Sequence, residues 1–176
     1  MYKLVLILAM PLLVLTGIAQ PRNCLRVMPI DELTRNSIFI ARVKVQKAVR
    51  ANYRGAFSQH AIIKPIDVID GDFTLKQVDV LARANVRCAE DNYIEKQEML
   101  VFLALEDSLF RTQNFQYGQF LIDGEIVKGW RDKANKPVDK LYAEVRLEIE
   151  AYVNATHRPP SEAPVPPSKP TIPPQD

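Results

Sequence analysis

Ser37-Ile38-Phe39-Ile40-Ala41-Arg42-Val43-Lys44-Val45-Gln46-Lys47-Ala48-Val49 is the stretch on which the fold turns. It begins as an apolar run and passes into alternation, with Val43 and Val45 set between polar side chains. A strand buried on both faces early and on one face later has this pattern, because successive side chains point to opposite faces. Downstream, Arg50-Ala51-Asn52-Tyr53-Arg54-Gly55 reads as a turn and residues 59–68 as a second strand. Pro65 belongs at a bulge or an edge there, since proline has no ladder donor. Asp70-Gly71-Asp72 is the next turn signal. Lys76-Gln77-Val78-Asp79-Val80-Leu81-Ala82 alternates again, and Glu98-Met99-Leu100-Val101-Phe102-Leu103-Ala104-Leu105 is apolar enough for a central strand. Residues 115–130 hold two further short strands around Asp123-Gly124. Five or six short strands between turn clusters predict a mainly β fold, a small OB-like Greek-key barrel.

One segment near the end of this region has helical spacing. Leu141, Val145, Ile149 and Tyr152 recur every three or four residues among charged side chains. With Val138-Asp139 as a cap, this predicts an amphipathic helix over about residues 139–153 that lays one face on the barrel. A shorter helical turn is expected at residues 31–35.

The two ends differ in composition from the middle. Met1-Tyr2-Lys3 is followed by an uncharged apolar run and then by Gly17-Ile18-Ala19-Gln20, the pattern of a secretory signal peptide cut after Ala19. The apolar stretch, about 16 residues broken by Pro11, is shorter than the roughly 20 that span a bilayer. Cleavage is therefore expected rather than a stable membrane anchor. At the other end eight of the 13 prolines lie between Pro159 and Pro174. Too little apolar content is present there to offset ordering entropy, so residues 154–176 are expected to be a disordered, proline-rich tail. Its Pro-x-x-Pro repeats serve as a spacer or as a ligand for an aromatic groove. Residues 20–153 are left for one domain with one core.

Net charge is +2, and no run of five Lys or Arg residues occurs. Nucleic acid is therefore not an expected partner. Two cysteines, Cys24 and Cys88, in an exported chain point to one disulfide. Closing a loop of about 64 residues would stabilise the domain by roughly 4 kcal/mol. Free thiols or pairing between chains are the alternatives.

No catalytic constellation is visible. The two histidines, His60 and His157, lack metal-ligand spacing with each other, and no metal or other cofactor is expected. Ser37, Ser58 and Ser108 stand outside any Gly-x-Ser-x-Gly elbow. Asp67, Asp70 and Asp72 read as a solvated acidic turn, with spacing that does not match an EF-hand. Asn154-Ala155-Thr156 is a glycosylation sequon in a eukaryotic host. Trp130, with Phe115, Tyr117 and Phe120 nearby in sequence, packs either between barrel and helix or in an exposed contact patch. Arg22, Arg26, Arg50 and Arg54 either flank one end of the barrel or are simply solvated.

The order of features resembles the netrin-like module, the OB-type barrel of tissue inhibitors of metalloproteinases. An early cysteine and a short helical turn precede the strand Ile38-Phe39-Ile40-Ala41-Arg42-Val43. Val68-Ile69-Asp70-Gly71-Asp72 resembles the family's turn between second and third strands. The second cysteine then falls before Lys96-Gln97-Glu98-Met99-Leu100-Val101-Phe102, which is similar to the family's Gly-Glu-x-Tyr/Leu-Leu-Val-Phe strand. Together these cover about residues 24–130. Gly124-Glu125-x-Val127-x-Gly129-Trp130, leading into a terminal helix, is similar to bacterial members. The resemblance implies a non-enzymatic protein-interaction module, with Arg22, Asn23, Cys24, Leu25, Glu90 and Asp91 as partner contacts. It also implies an alternative, a metalloprotease inhibitor that uses the Cys24 region as a wedge against an extracellular or periplasmic protease. The inhibitors chelate the catalytic zinc through a cysteine that is the first mature residue. Here Gln20-Pro21-Arg22-Asn23 would precede Cys24 and obstruct that chelation.

Overall fold

The structure, a computed structural model, describes residues 25–156. The elements are helix α1 (Ile30–Arg35), strands β1 (Phe39–Tyr53), β2 (Phe57–Asp70), β3 (Val78–Ala84), β4 (Glu98–Glu106) and β5 (Leu109–Thr112), a single 3-10 turn at Phe115–Gly118, strands β6 (Gln119–Asp123), β7 (Ile126–Arg131) and β8 (Pro137–Leu141), and helix α2 (Tyr142–Thr156). The proposed signal peptide, residues 22–24 and the proline-rich segment after residue 156 lie outside the described residues. Among the described residues no helix is long and apolar enough to cross a membrane.

β1 explains the architecture. Its alternation sends Phe39, Ala41, Val43 and Val45 to one face, where they meet Leu103, Val101 and Met99 of antiparallel β4 in register. Ile40 points the other way and, with Leu100 and Phe102 of β4, joins a second cluster under the helices. Both strands are thus buried on two faces where they pair, as their apolar runs require. From Arg42 to Val45 the strand is one-sided, with Lys44 exposed between buried Val43 and Val45, and beyond Val45 Gln46 and Lys47 are exposed and no residue of the strand is buried.

The strands close into a ring. β1 pairs with β2, β2 with β3, β3 with β5, β5 with β4, and β4 again with β1. All these pairings are antiparallel except β3–β5, which is parallel at Val80–Phe110 and Leu81–Arg111. A five-stranded ring in that order is the OB-like barrel expected from the sequence. Its interior holds Phe39, Val43, Ile63, Val80, Tyr93 and Val101, all 0–1% exposed. The N-terminal half of β4 also pairs with β6, from which β7 and β8 extend the sheet. The sheet therefore has eight strands, not five or six. β5 is only four residues long, and β8 starts at a proline and carries Asp139, so neither has the pattern of a strand in isolation.

β8 also corrects the helix boundary. Residues 137–141 pair with β7, so Val138-Asp139 does not cap a helix and Leu141 is half exposed. The Asp139 carboxylate instead accepts from Lys128 Nζ at 2.8 Å and from the Gly129 N–H at 3.1 Å. α2 starts at Tyr142 and continues to Thr156, three residues past the expected end. Tyr142, Val145 and Ile149 form its buried face, with Tyr152 and Val153 partly covered.

Trp130 settles between barrel and helix. It is fully buried, with its ring 5.0 Å from Phe120 and 6.3 Å from Phe102. Its Nε1–H donates to Glu148 of α2 at 3.3 Å, and the same carboxylate takes Lys140 of β8 at 2.7 Å. A second fastening joins α2 to β2, where Asp67 accepts from Tyr142 Oη at 2.8 Å and Arg146 Nε at 2.9 Å.

β2 bulges at Ile66, beside Pro65, because Arg42 pairs with Asp67 and Val43 with Pro65. β3 pairs with β2 no further than Ile63, so Pro65 has a neighbouring strand, β1, on one side only, and it stands beside the bulge.

Candidate functional site

The end of the barrel that carries the Cys88 loop has the most elaborated surface. On one side β1 and β2 join through Arg54-Gly55, with φ of 51° and 69° and the Ala56 N–H bonded to Tyr53 C=O at 2.9 Å. Two positive φ values make this a turn matched to strand twist, and glycine supplies one of them without strain. The Gly55 N–H also donates to Asn52 Oδ1 at 3.0 Å. β3 is tied to this turn, since the Asn85 N–H reaches Ala56 C=O at 2.6 Å.

The loop between β3 and β4 is held by buried polar groups. Gln59 of β2 donates through Nε2 to Asn92 Oδ1 and Tyr93 C=O, both at 3.0 Å, and accepts from the Tyr93 N–H at 2.9 Å. Tyr93 Oη lies 2.8 Å from Thr112 Oγ1 inside the barrel. The Asp91 carboxylate faces the Ala84 N–H at 3.4 Å and is 1% exposed. Burial raises its proton affinity above the ordinary carboxylate range, against the pull of backbone N–H groups and Arg111. Gln116, from the 3-10 turn, donates to Cys88 C=O at 2.9 Å and accepts from the Glu90 N–H at 3.0 Å. Arg83, Cys88, Asn114 and Phe115 all have φ between 51° and 68° around this loop. Such backbone persists in non-glycine residues only where the surroundings over-determine it.

Two grooves result. A polar groove of about 670 Å³ runs between the β1–β2 turn and the loop, lined by Asn52, Ser58, Arg83, Asn85, Glu90 and Asn92 among others. A more apolar one of about 580 Å³ lies between the N-terminal segment and the loop, with Leu25, Met28, Val86 and Phe115 in its walls. Phe57 and Ala84 line both, so the grooves flank the start of β2 and the end of β3.

The sequence-predicted contacts divide accordingly. Leu25 and Glu90 line the grooves, one in each. Asp91 does not reach the surface: its side chain turns inward to serve the end of β3, which corrects its reading as a partner contact. Arg22, Asn23 and Cys24 lie outside the described residues, and so does the Cys24 half of the expected disulfide. Leu25, next to Cys24, and Val86, two residues before Cys88, line the same groove. Arg83, Gln59 and Asn92 are the polar residues that sequence reasoning missed. Arg83 fell just past the expected end of the third strand, and Gln59 sat at a strand start where polar residues usually face water.

The other candidates are dispersed. His60 Nε2 lies 2.8 Å from Asp79 Oδ1 on neighbouring strands. Asp67 is committed to α2, while Asp72 accepts from the Thr74 N–H and hydroxyl at 2.8 and 2.6 Å. Those two bonds hold Asp72 below the usual carboxylate range. Among the described residues no group of three or more His, Cys, Asp or Glu side chains is placed to hold a metal ion. Ser37 and Ser58 donate to the carbonyls of Leu33 and Arg83. Arg26 pairs with Glu32 and Arg54 with Asp107. Asn154 is exposed on the last turn of α2, where the Thr156 hydroxyl bonds back to Tyr152 C=O at 2.9 Å. No family model matches this chain, and no curated protein matches it.

Proposed function

We propose that this chain is an exported, non-enzymatic protein-interaction module of the netrin-like type, docking its partner at the barrel end that carries the Cys88 loop. The observation that carries the reading is the convergence of Leu25 and Val86 on one groove. It brings the start of the domain beside a loop whose backbone is pinned by Gln59, Gln116 and Asp91. A pinned loop next to an accessible segment is a pre-organised surface, which lowers the ordering cost of association. The five-stranded ring and the terminal helix agree with the netrin-like resemblance. The Cys24–Cys88 disulfide belongs to the same proposal and would tie that segment to that loop.

The test is site-specific photo-crosslinking in the native host, with the probe at Leu25 or Val86 and a control at Leu147, exposed on α2. Adducts from the first two positions and none from Leu147 are expected. Equal labelling from all three, or none, overturns the assignment of the surface.

The same convergence favours a second reading, metalloprotease inhibition with the Cys24 region as a wedge. The mass of the exported chain, with and without reductant, separates the two. A chain beginning at Gln20 and two mass units heavier on reduction supports the interaction module. A chain beginning at Cys24 makes inhibition the better reading, and retention of Met1 refutes export by cleavage.

A further inference from the structure

Ten arginines lie among the described residues, and six of them pair with a carboxylate: Arg26, Arg35, Arg42, Arg54, Arg111 and Arg146. Four have no such partner among the described residues: Arg131 on β7, which donates to Asn135 C=O, and Arg50, Arg83 and Arg87, which belong to the elements around the polar groove. Arg83 lines it, Arg87 is on the loop that walls it, and Arg50 stands opposite Gln59 in the β1–β2 register.

Arg83 is also positioned by its backbone. Its φ is 51°, it stands exposed between buried Ala82 and Ala84, and its N–H is tied to Asp91 C=O at 3.1 Å. Its Nε donates to Asn92 Oδ1 at 3.0 Å, the oxygen that Gln59 also holds. The guanidinium is thereby anchored through one nitrogen, while Nη1 and Nη2 remain for a ligand. A planar, anchored fork of donors suits a carboxylate better than a freely moving lysine does. Asn52, Asn85 and Asn92 add amide groups of the kind that read an extended peptide backbone. Glu90 is the single carboxylate in the lining, so the groove itself is cationic around Arg83.

Resting on the docking surface proposed above, we infer that the polar groove receives an acidic segment of the partner protein, with an Asp or Glu side chain seated on Arg83. Arg50 and Arg87 supply a surrounding positive field that favours approach, and Glu90 rejects segments with carboxylates at the wrong position.

The experiment uses the full exported chain, labelled with nitrogen-15, titrated with the capped peptide acetyl-Ala-Glu-Ala-Glu-Ala-amide and with its Gln counterpart. The Glu peptide is expected to shift the amide signals of Arg83, Asn85, Glu90 and Asn92, and the Gln peptide to leave them in place. Arg83→Gln should weaken binding at least tenfold. Glu90→Gln, which leaves the Arg83 anchor intact, should tighten it severalfold and guards against a folding defect in the first variant. Equal shifts with both peptides, or unchanged affinity in Arg83→Gln, overturn the inference. Cross-links at Leu25 and Val86 without Glu-peptide binding sink the acidic segment alone and leave the docking surface standing. Binding on Arg83 without those cross-links supports the groove chemistry while removing the partner surface.

Discussion

Gln59 and Arg83 donate to one oxygen, Asn92 Oδ1, each at 3.0 Å. One donor comes from a nearly buried residue of β2 and the other from an exposed residue of β3, so a single amide links barrel interior and groove. Replacing Gln59 by Leu keeps much of the volume but leaves the Tyr93 N–H and C=O without these partners. Each orphaned buried group costs about 1–3 kcal/mol. We expect Gln59→Leu to lower stability by about 2–4 kcal/mol in urea unfolding and to abolish hydrogen-exchange protection of the Tyr93 amide. A variant as stable and protected as the parent would show that the loop is held by other means.

Asp91 makes stability depend on pH with a defined sign. Its folded-state proton affinity is raised, so the stability it contributes is complete below the unfolded carboxylate value near 3.9 and is lost as pH rises through the folded value. Asn at this position cannot ionise and retains an oxygen for the Ala84 N–H. Unfolding curves of Asp91→Asn and parent, measured from pH 3.5 to 7, should move apart in favour of the variant as pH increases. A constant gap across that range contradicts this account.

Gly71 allows the chain to turn between β2 and β3 at φ of 109°. A Cβ there would stand 2.7 Å from the Ile38 carbonyl oxygen, a backbone atom, and 3.0 Å from the Phe39 ring. Gly71→Ala is expected to cost about 2–4 kcal/mol, from backbone strain together with that clash. At Gly124, with φ of 61° and no atom within 4 Å of an added Cβ, the same change should cost about 1 kcal/mol. The comparison is read from thermal midpoints of the two variants. Equal losses would mean that the close approach at Ile38 carries no weight.

Trp130 is the chain's one tryptophan, so its fluorescence reports on the layer between sheet and helix. Trp130→Ala should destabilise by about 3–5 kcal/mol, as large aromatic-to-alanine changes in cores do. In the parent, Glu148→Gln keeps a neutral acceptor for the indole N–H and removes the Lys140 ion pair. It should therefore shift the emission little and cost about 1 kcal/mol. A strongly red-shifted emission in the folded parent would contradict the buried position.

β1 and β4 were legible as strands because hydrophobicity itself encodes burial on two faces, from Phe39 through Val43 and from Met99 through Leu103; that they pair was not, since no local pattern says which strand lies beside which. The turn at Gly71 and the face formed by Val145 and Ile149 were legible for the same local reasons. β8 was not, since Pro137, Asp139 and Leu141 have the chemistry of a helix start and only the neighbouring β7 makes them a strand. The grooves were half legible. Leu25 and Glu90 follow from their neighbourhood to the two cysteines, whereas Arg83 depends on a positive φ and on Asn92, which no spacing announces. Asp91 looked like its solvated neighbour Glu90, and only the fold turns one inward and the other out.

The ring is sewn unevenly. Between β1 and β4 the ladder runs from Phe39–Leu103 to Lys44–Glu98, while β3 meets β5 only at Val80–Phe110 and Leu81–Arg111. Fewer shared bonds mean a smaller free energy of local opening, so amide exchange along the β3–β5 seam is expected to be faster than along the β1–β4 ladder. The β1–β2 hairpin joins residues near in sequence and is expected to form before the parallel seam, which joins residues about 30 apart. β3 carries Arg83 near its end, so a partner gripping that residue would hold the strand with the shortest ladder in the ring, and binding is expected to slow unfolding by clamping that seam.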